Sequence, residues 1–301
     1  MRKLRLNNNH SSYFIGYYFL SKNNLLVRYS QGTSIKGFTT NDIKTLKLNI
    51  PSKPEQEKIA SFLSSVDSKI EQLSKKKTLL EAYKKGVMQK IFSQEIRFRE
   101  DDGGEYGEWE NTLIQNHFDV ASSKRVLQKD WTDKGIPFYR TRELVSLSKN
   151  EPFSSEIFIS PELFNKLAIK YGIPKNGDFL VSGVGTLGIY YQVKNTDKLY
   201  FKDGNVLWLK RKPTINSNFF KYCFESDFVQ AQIIAQASIT TVGTYTIQNA
   251  KKTKLLVPKS LKEQTKIANF LTSIDSKIEQ VSRELESTKQ FKKALLQKMF
   301  V

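Results

Sequence analysis

The residues with the first claim to chemistry are glycines. Gly183-Val184-Gly185-Thr186-Leu187-Gly188 has the G-x-G-x-x-G spacing of a dinucleotide loop and follows the β-forming run Phe179-Leu180-Val181. Asp203 stands twenty residues beyond Gly183, where such a fold places a ribose-binding acid. The chemistry requires a helix to begin at the last glycine, so that its free amides face a pyrophosphate. Here the next residues are Ile189-Tyr190-Tyr191-Gln192-Val193, a strand former. The motif is therefore read as a turn whose missing side chains let backbone approach a neighbour. No G-x-x-x-x-G-K-[ST] occurs, and His10 and His117 have no Cys or His at metal-ligand spacing. The single cysteine, Cys223, sits in Phe220-Lys221-Tyr222-Cys223-Phe224 and reads as a small packed hydrophobe. No catalytic constellation, metal site or bound cofactor is expected on this chain.

What remains is a donor-rich surface. Candidate nucleic-acid contacts are Lys124, Arg125, Gln128 and Lys129, then Tyr139, Arg140 and Arg142, with Thr186, Thr241, Thr244 and Tyr245 in glycine- and threonine-rich stretches. Arg offers a bidentate fork to guanine and Gln suits adenine, while Lys and hydroxyls suit phosphates. The formal net charge of +18 points the same way, because phosphates attract cations irrespective of sequence. No apolar run is long enough to span a bilayer, and one cysteine fits a reducing compartment, so a cytoplasmic protein is expected.

The elements that position these residues come from a duplication. Residues 56–72, QEKIASFLSSVDSKIEQ, return 208 positions later, and 20 of 38 positions are identical between 55–92 and 263–300. Each copy follows a proline and carries an apolar heptad. Its seam includes Ile59, Leu63, Val66 and Ile70 in the first and Ile267, Leu271, Ile274 and Ile278 in the second. Lys77 and Lys84 interrupt the first seam, Thr288 and Lys292 the second. An antiparallel pairing moves Lys84 and Lys292 to opposite ends, near solvent, and is preferred over a parallel one. The expected fold class is α+β, a mixed α/β domain plus two long antiparallel coiled-coil helices.

The boundaries follow. Residues 51–92 and 257–301 are the repeated helices, 93–112 a charged linker, and 105–256 a complete mixed domain, with a helix from Ser217 to about Gln236. An Asp203-Gly204 turn is expected to join the strand runs Ile189–Val193 and Asn205–Leu209. Residues 1–50 align with the closing third of that domain, through a short helix, a Thr/Gly loop and Lys44–Pro51.

At these residues the chain resembles the specificity subunit of type I restriction-modification systems. The repeated block Glu-Gln-x-Lys-Ile-Ala-x-Phe-Leu-(x)2-(Val/Ile)-Asp-Ser-Lys-Ile-Glu carries the resemblance. Trp109…Leu113, Ile136-Pro137-Phe138-Tyr139-Arg140 and Gly177-Asp178-Phe179-Leu180-Val181-Ser182 support it. The resemblance implies target-recognition domains that each read half of a bipartite DNA site, joined by helices acting as spacer and methyltransferase docking surface. It implies double-stranded DNA, methyltransferase subunits and restriction subunits as partners, with S-adenosylmethionine and ATP/Mg on those subunits. A rod from Ile59 to Ile91 would be roughly 50 Å long, about fifteen base pairs. Only the end of a first recognition domain is present, so more residues before Met1, or self-association as a half-type subunit, are expected to complete it. The alternative expectation is an assembly scaffold that has lost bipartite recognition.

Overall fold

The computed structural model describes residues 9–22, 48–149, 151–153, 156–195, 198–237 and 243–300. The expected Thr/Gly loop and residues 44–47 of Lys44–Pro51 lie outside these residues. The chain divides into two units, Met1–Tyr83 with Ile274–Val301, and Lys84–Ser273. The first long helix (Lys53–Phe92) and the second (Leu261–Met299) each run through both. At 40 residues the first is about 60 Å long.

In the first unit the two helices pair antiparallel. Lys69 meets Glu284 at 2.8 Å, Asp67 meets Lys292, and Leu73 packs with Val281 and Leu285, so positions advance along one helix as they retreat along the other. Leu63, Val66 and Ile274 are buried as the heptad requires, but Ile70 is only half-buried beside the Leu73 cluster. Helix α1 (Ser12–Ser21) closes the end of this pair, with Phe14, Ile15 and Tyr17 against Ala60, Leu63 and Phe300. Phe14 and Phe300 have ring centroids 5.3 Å apart.

The second unit holds the mixed domain. Its strands are β1 (Glu110–Leu113), β2 (Phe118–Ala121), β3 (Trp131–Thr132), β4 (Ile136–Tyr139), β5 (Phe158–Ile159), β6 (Phe179–Ser182), β7 (Tyr190–Gln192), β8 (Tyr200–Phe201), β9 (Val206–Arg211) and β10 (Lys254–Val257). Its shorter helices of six residues or more are α2 (Thr141–Ser148), α3 (Pro161–Tyr171), α4 (Ser217–Glu225), α5 (Asp227–Ala237) and α6 (Ile247–Lys252). One antiparallel sheet has the order β2-β9-β6-β7; a second, β3-β5-β4-β8, has β4 and β8 parallel; β1 pairs with β10. The central strand β6 is buried throughout, as its unbroken apolar run predicts. Phe118, Phe179 and Phe220 fill one face, with ring centroids 4.3–6.1 Å apart.

Two expectations fail for physical reasons. The helix from Ser217 to Gln236 is two helices, because Ser226 adopts an extended conformation and turns its hydroxyl onto the Cys223 carbonyl. The Asp203-Gly204 turn joins β8 to β9, in different sheets, and β7 and β9 flank β6 instead of pairing with each other. His117, at the end of the short helix Ile114–His117, is buried, with Nδ1 2.9 Å from the Thr214 hydroxyl. Cys223 is buried as expected, and burial pushes its thiol up to about 12.

The duplication extends to hydrogen bonds. In the second unit the Gln264 side chain accepts from Asn216 N–H and donates to the Pro258 carbonyl, both at 2.8 Å. In the first, Gln56 accepts from Ser11 N–H at 3.0 Å and donates to the Pro51 carbonyl at 2.8 Å. Ser11 and Asn216 are the N-caps of α1 and α4. Each helix carries a tyrosine that reaches a repeated hydroxyl, Tyr17 to Ser64 at 3.3 Å and Tyr222 to Thr272 at 3.1 Å. Tyr17 also donates to Asp67 at 2.7 Å. The lysines that interrupt the heptads complete the pattern. Lys292 lies 5.4 Å from the Tyr17 ring centroid and pairs with Asp67, while Lys84 lies 5.2 Å from Tyr222 and pairs with Glu225 at 3.3 Å. Both are largely covered, not near solvent as the heptad pattern suggested. Their stems pack while their ammonium groups keep an acid and an aromatic face.

Replacing Gln264 by Ala leaves the Asn216 amide at the α4 cap and the Pro258 carbonyl without their partner. Denaturant unfolding should show a loss of about 1–3 kcal/mol, with faster exchange of the Asn216 amide.

Candidate nucleic-acid interface

Five segments of the second unit meet along one edge: residues 122–125 after β2, the start of α2, the 183–188 loop between β6 and β7, the 203–205 turn, and residues 243–245. The 203–205 turn ties them together. Its Asn205 carbonyl accepts from Gly183 N–H at 2.8 Å and from the Thr141 hydroxyl at 3.5 Å, and Gly204 N–H donates to Ser122 Oγ at 3.1 Å. Ser122 in turn donates to the Val206 carbonyl and Ser123 to that of Phe201.

The glycines act as the sequence suggested, and the neighbour is the protein's own backbone. A Cβ on Gly183 would lie 2.8 Å from the Tyr245 carbonyl, and Gly183 accepts a 2.8 Å hydrogen bond from Tyr245 N–H. The close approach is therefore to the 243–245 backbone. Gly185, at φ +82°, reverses the loop, and the Ser182 hydroxyl closes it on the Thr186 carbonyl. Thr186 is left exposed at the tip.

The candidate residues divide by exposure. Lys124, Arg125, Gln128, Lys129, Arg142 and Thr186 are exposed. Lys124 holds its ammonium 5.0 Å from the Tyr171 ring centroid. Arg125 is 73% exposed and pairs with Asp203 at 3.0 Å, a contact in water that costs little to exchange for a phosphate. Thr244 is half-buried and bridges to Val184. Thr241 lies outside the described residues.

Three candidates are corrected. Tyr245 is 1% exposed and shares a 2.7 Å hydrogen bond with Thr253; burial pushes its hydroxyl up to about 12. It is a core residue that anchors a loop. Tyr139 packs against the Leu144–Phe201–Trp208 core, its ring 5.7 Å from Phe153. Arg140 is consumed by Glu143. Its Nε and Nη2 both donate to that carboxylate, its backbone N–H adds a third bond at 2.9 Å, and its guanidinium lies 5.7 Å from the Trp131 ring.

Glu143 is the residue the sequence reading missed. It is buried and also accepts from Arg142 Nε at 2.8 Å, so one carboxylate holds both arginines. Burial alone would raise its pKa, but the hydrogen bonds from Arg140 and Arg142 hold it below the usual carboxylate range. Arg142, 53% exposed, is thereby fixed at the lip of the edge. The signal available was the Arg140-Thr141-Arg142-Glu143 spacing, which puts an acid one turn beyond an arginine at a helix start. Among the described residues no group of three or more His, Cys, Asp or Glu side chains is placed to hold a metal ion. No described helix is long and apolar enough to cross a membrane.

Cations, hydroxyls and a glycine loop thus share one edge above a stapled β-sheet. Comparison with known proteins specifies the class. The family model for the type I restriction modification DNA specificity domain matches residues 1–82 and 106–289, and the chain belongs to that family. A putative type I restriction enzyme specificity subunit of Haemophilus influenzae is 33% identical over 165 residues, 52% of this chain and 38% of that protein. The MjaVIII specificity subunit of Methanocaldococcus jannaschii is 25% identical over 298 residues, 94% of this chain and 68% of that protein. The chain thus spans under two fifths of the first relative and about two thirds of the second. Its fold is similar to the crystal structure of a type I restriction-modification S subunit from M. genitalium, with TM-score 0.64, 18% identity, and coverage of 97% of this chain and 73% of that one.

Replacing Glu143 by Ala leaves Arg140 without its carboxylate and should cost about 3 kcal/mol in denaturant unfolding. The folded pKa of Glu143 is depressed, so its stabilisation is complete above the ordinary value of 4.5 and is lost as pH falls through the lower folded value. Stability of the natural chain should therefore fall more steeply below that pH than stability of Glu143→Gln.

Proposed function

We propose that residues 105–256 form a target-recognition domain that reads one half of a bipartite DNA site within a type I restriction-modification complex. The observation that carries this reading is the convergence of Lys124, Arg125, Arg142 and Thr186 on one stapled edge. Family membership and a net charge of +18 support it. In this reading Lys124 and Arg125 hold phosphates, and Arg142, oriented by Glu143, reads a base edge. Arg is the side chain whose fork matches guanine O6 and N7.

The long helices set the spacing between half-sites and present a docking surface to methyltransferase subunits, to which restriction subunits are added. The chain performs no catalysis of its own. S-adenosylmethionine and ATP/Mg belong to the partner subunits, and the complex works in the cytoplasm. A second recognition domain supplies the other half-site.

Competition binding against salt concentration tests the assignment. Arg142→Ala should weaken binding to the preferred sequence by about 1–3 kcal/mol and leave binding to unrelated duplexes nearly unchanged. Lys124→Ala and Arg125→Ala should weaken all duplexes alike, each lowering the salt slope by about 1. Footprints should cover a single block of bases where one recognition domain binds, and two separated blocks where a second domain is supplied. Absence of protection at any salt, with methyltransferase subunits present, would leave the scaffold alternative in its place.

A further inference from the structure

The two copies of the repeated helix start carry the same residues in different surroundings. In the second copy the face is covered by the linker. Trp109 donates its indole N–H to Glu263 at 2.9 Å, and Glu263 is 1% exposed. Lys266 donates to the Arg99 carbonyl at 2.8 Å, pairs with Asp101 at 2.6 Å and lies 5.6 Å from the Tyr106 ring. Phe98 meets Phe270 edge-on, with centroids 5.8 Å apart. Ile267 beneath them is fully buried.

The equivalents 208 positions earlier are Glu55, Lys58, Ile59 and Phe62, identical in type at all four positions. Glu55 and Lys58 are exposed, Ile59 is only half-buried, and Phe62 is 44% exposed. This is not a degraded copy of the helix start. Gln56, between Glu55 and Lys58, keeps both hydrogen bonds of its counterpart, and Leu63 is fully buried like Leu271. The inner face of the repeat is used by Gln56 and Leu63, whereas the acceptor, cation and aromatic of the outer face, Glu55, Lys58 and Phe62, are exposed.

We infer that Glu55, Lys58, Ile59 and Phe62 form a docking site for a segment of a second polypeptide with the chemistry of Phe98–Trp109. The occupant is a phenylalanine, an aspartate three residues on, and a tryptophan eight beyond that. The complementarity is particular. Glu55 takes an indole N–H, Lys58 takes a carboxylate and an aromatic face, and Phe62 takes a ring edge. A partner that supplies these groups would seat on the first unit as the linker seats on the second. Burying Phe62 and Ile59 supplies the apolar part of the association, and the two polar contacts fix its register.

A fluorescently labelled peptide of residues 93–112, titrated against the whole chain and followed by anisotropy, tests this. Saturable binding is expected. Phe62→Asp and Lys58→Glu in the chain, and Trp109→Ala in the peptide, should each weaken it about tenfold or more. Because Phe62 and Lys58 are exposed, the variants should unfold at the natural denaturant midpoint. A peptide carrying Asp101→Lys should recover affinity for the Lys58→Glu chain. Failure to bind, or binding indifferent to both chain substitutions, overturns the inference. So does a chain that is already dimeric and is released to monomer by Phe62→Asp, because the occupant would then be a second copy.

Discussion

A buried glutamine near the start of each long helix is the contact on which the remaining architecture depends. Gln56 and Gln264 each accept from the cap residue of a short helix and donate to the carbonyl of the proline before the long helix. One side chain thus fixes three things: where the long helix begins, where the short one is capped, and how the two meet. Both glutamine side chains are buried, so losing either bond leaves an unsatisfied donor or acceptor. In the second unit the helix held in this way is α4, whose Phe220 and Phe224 pack under the sheet against Phe179 and Tyr190. The sheet in turn holds the loops of the candidate interface.

The interface shows a division of labour between side chains that hold and side chains that project. Tyr245 and Arg140 carry hydrogen-bonding groups that suit nucleic acid, yet they spend them inside the protein. Gly183 gives up its side chain so that the 243–245 backbone can lie against the loop. Their cost is conformational, and the result is an edge on which Arg125, Arg142 and Thr186 project from fixed backbone. A buried carboxylate beneath two arginines is the clearest case. Glu143 stays ionised because both cations are within hydrogen-bonding distance, and it limits the rotamers of the exposed one.

The long helices and their antiparallel pairing were legible because a 208-residue duplication and a heptad seam repeat the same instruction. The lysine interruptions were misread. Periodicity marks Lys84 and Lys292 as defects, and only the fold brings Tyr222 and Tyr17 under them. The strand runs were legible from β-formers, but their neighbours were not. Sheet order depends on long-range pairing, so β6 came between β7 and β9 without any local signal. The helix break at Ser226 depends on one backbone angle. For the site, residue type located the right loops and failed on individual side chains, since burial separates Tyr245 from Thr186 and sequence does not report burial. Glu143 was missed because an acid in a basic patch reads as solvated until its two partners are seen.

The central claim is that the edge carrying Arg142 and Thr186, not the helical rod, is the surface that meets DNA bases. Site-specific photo-cross-linking measures this most directly, with a benzophenone side chain placed at Thr186 or at Leu79, an exposed position on the first long helix. The account predicts cross-links from position 186 confined to a short block of the preferred duplex, and none to bases from position 79. Base cross-links from position 79 with none from 186 would contradict it.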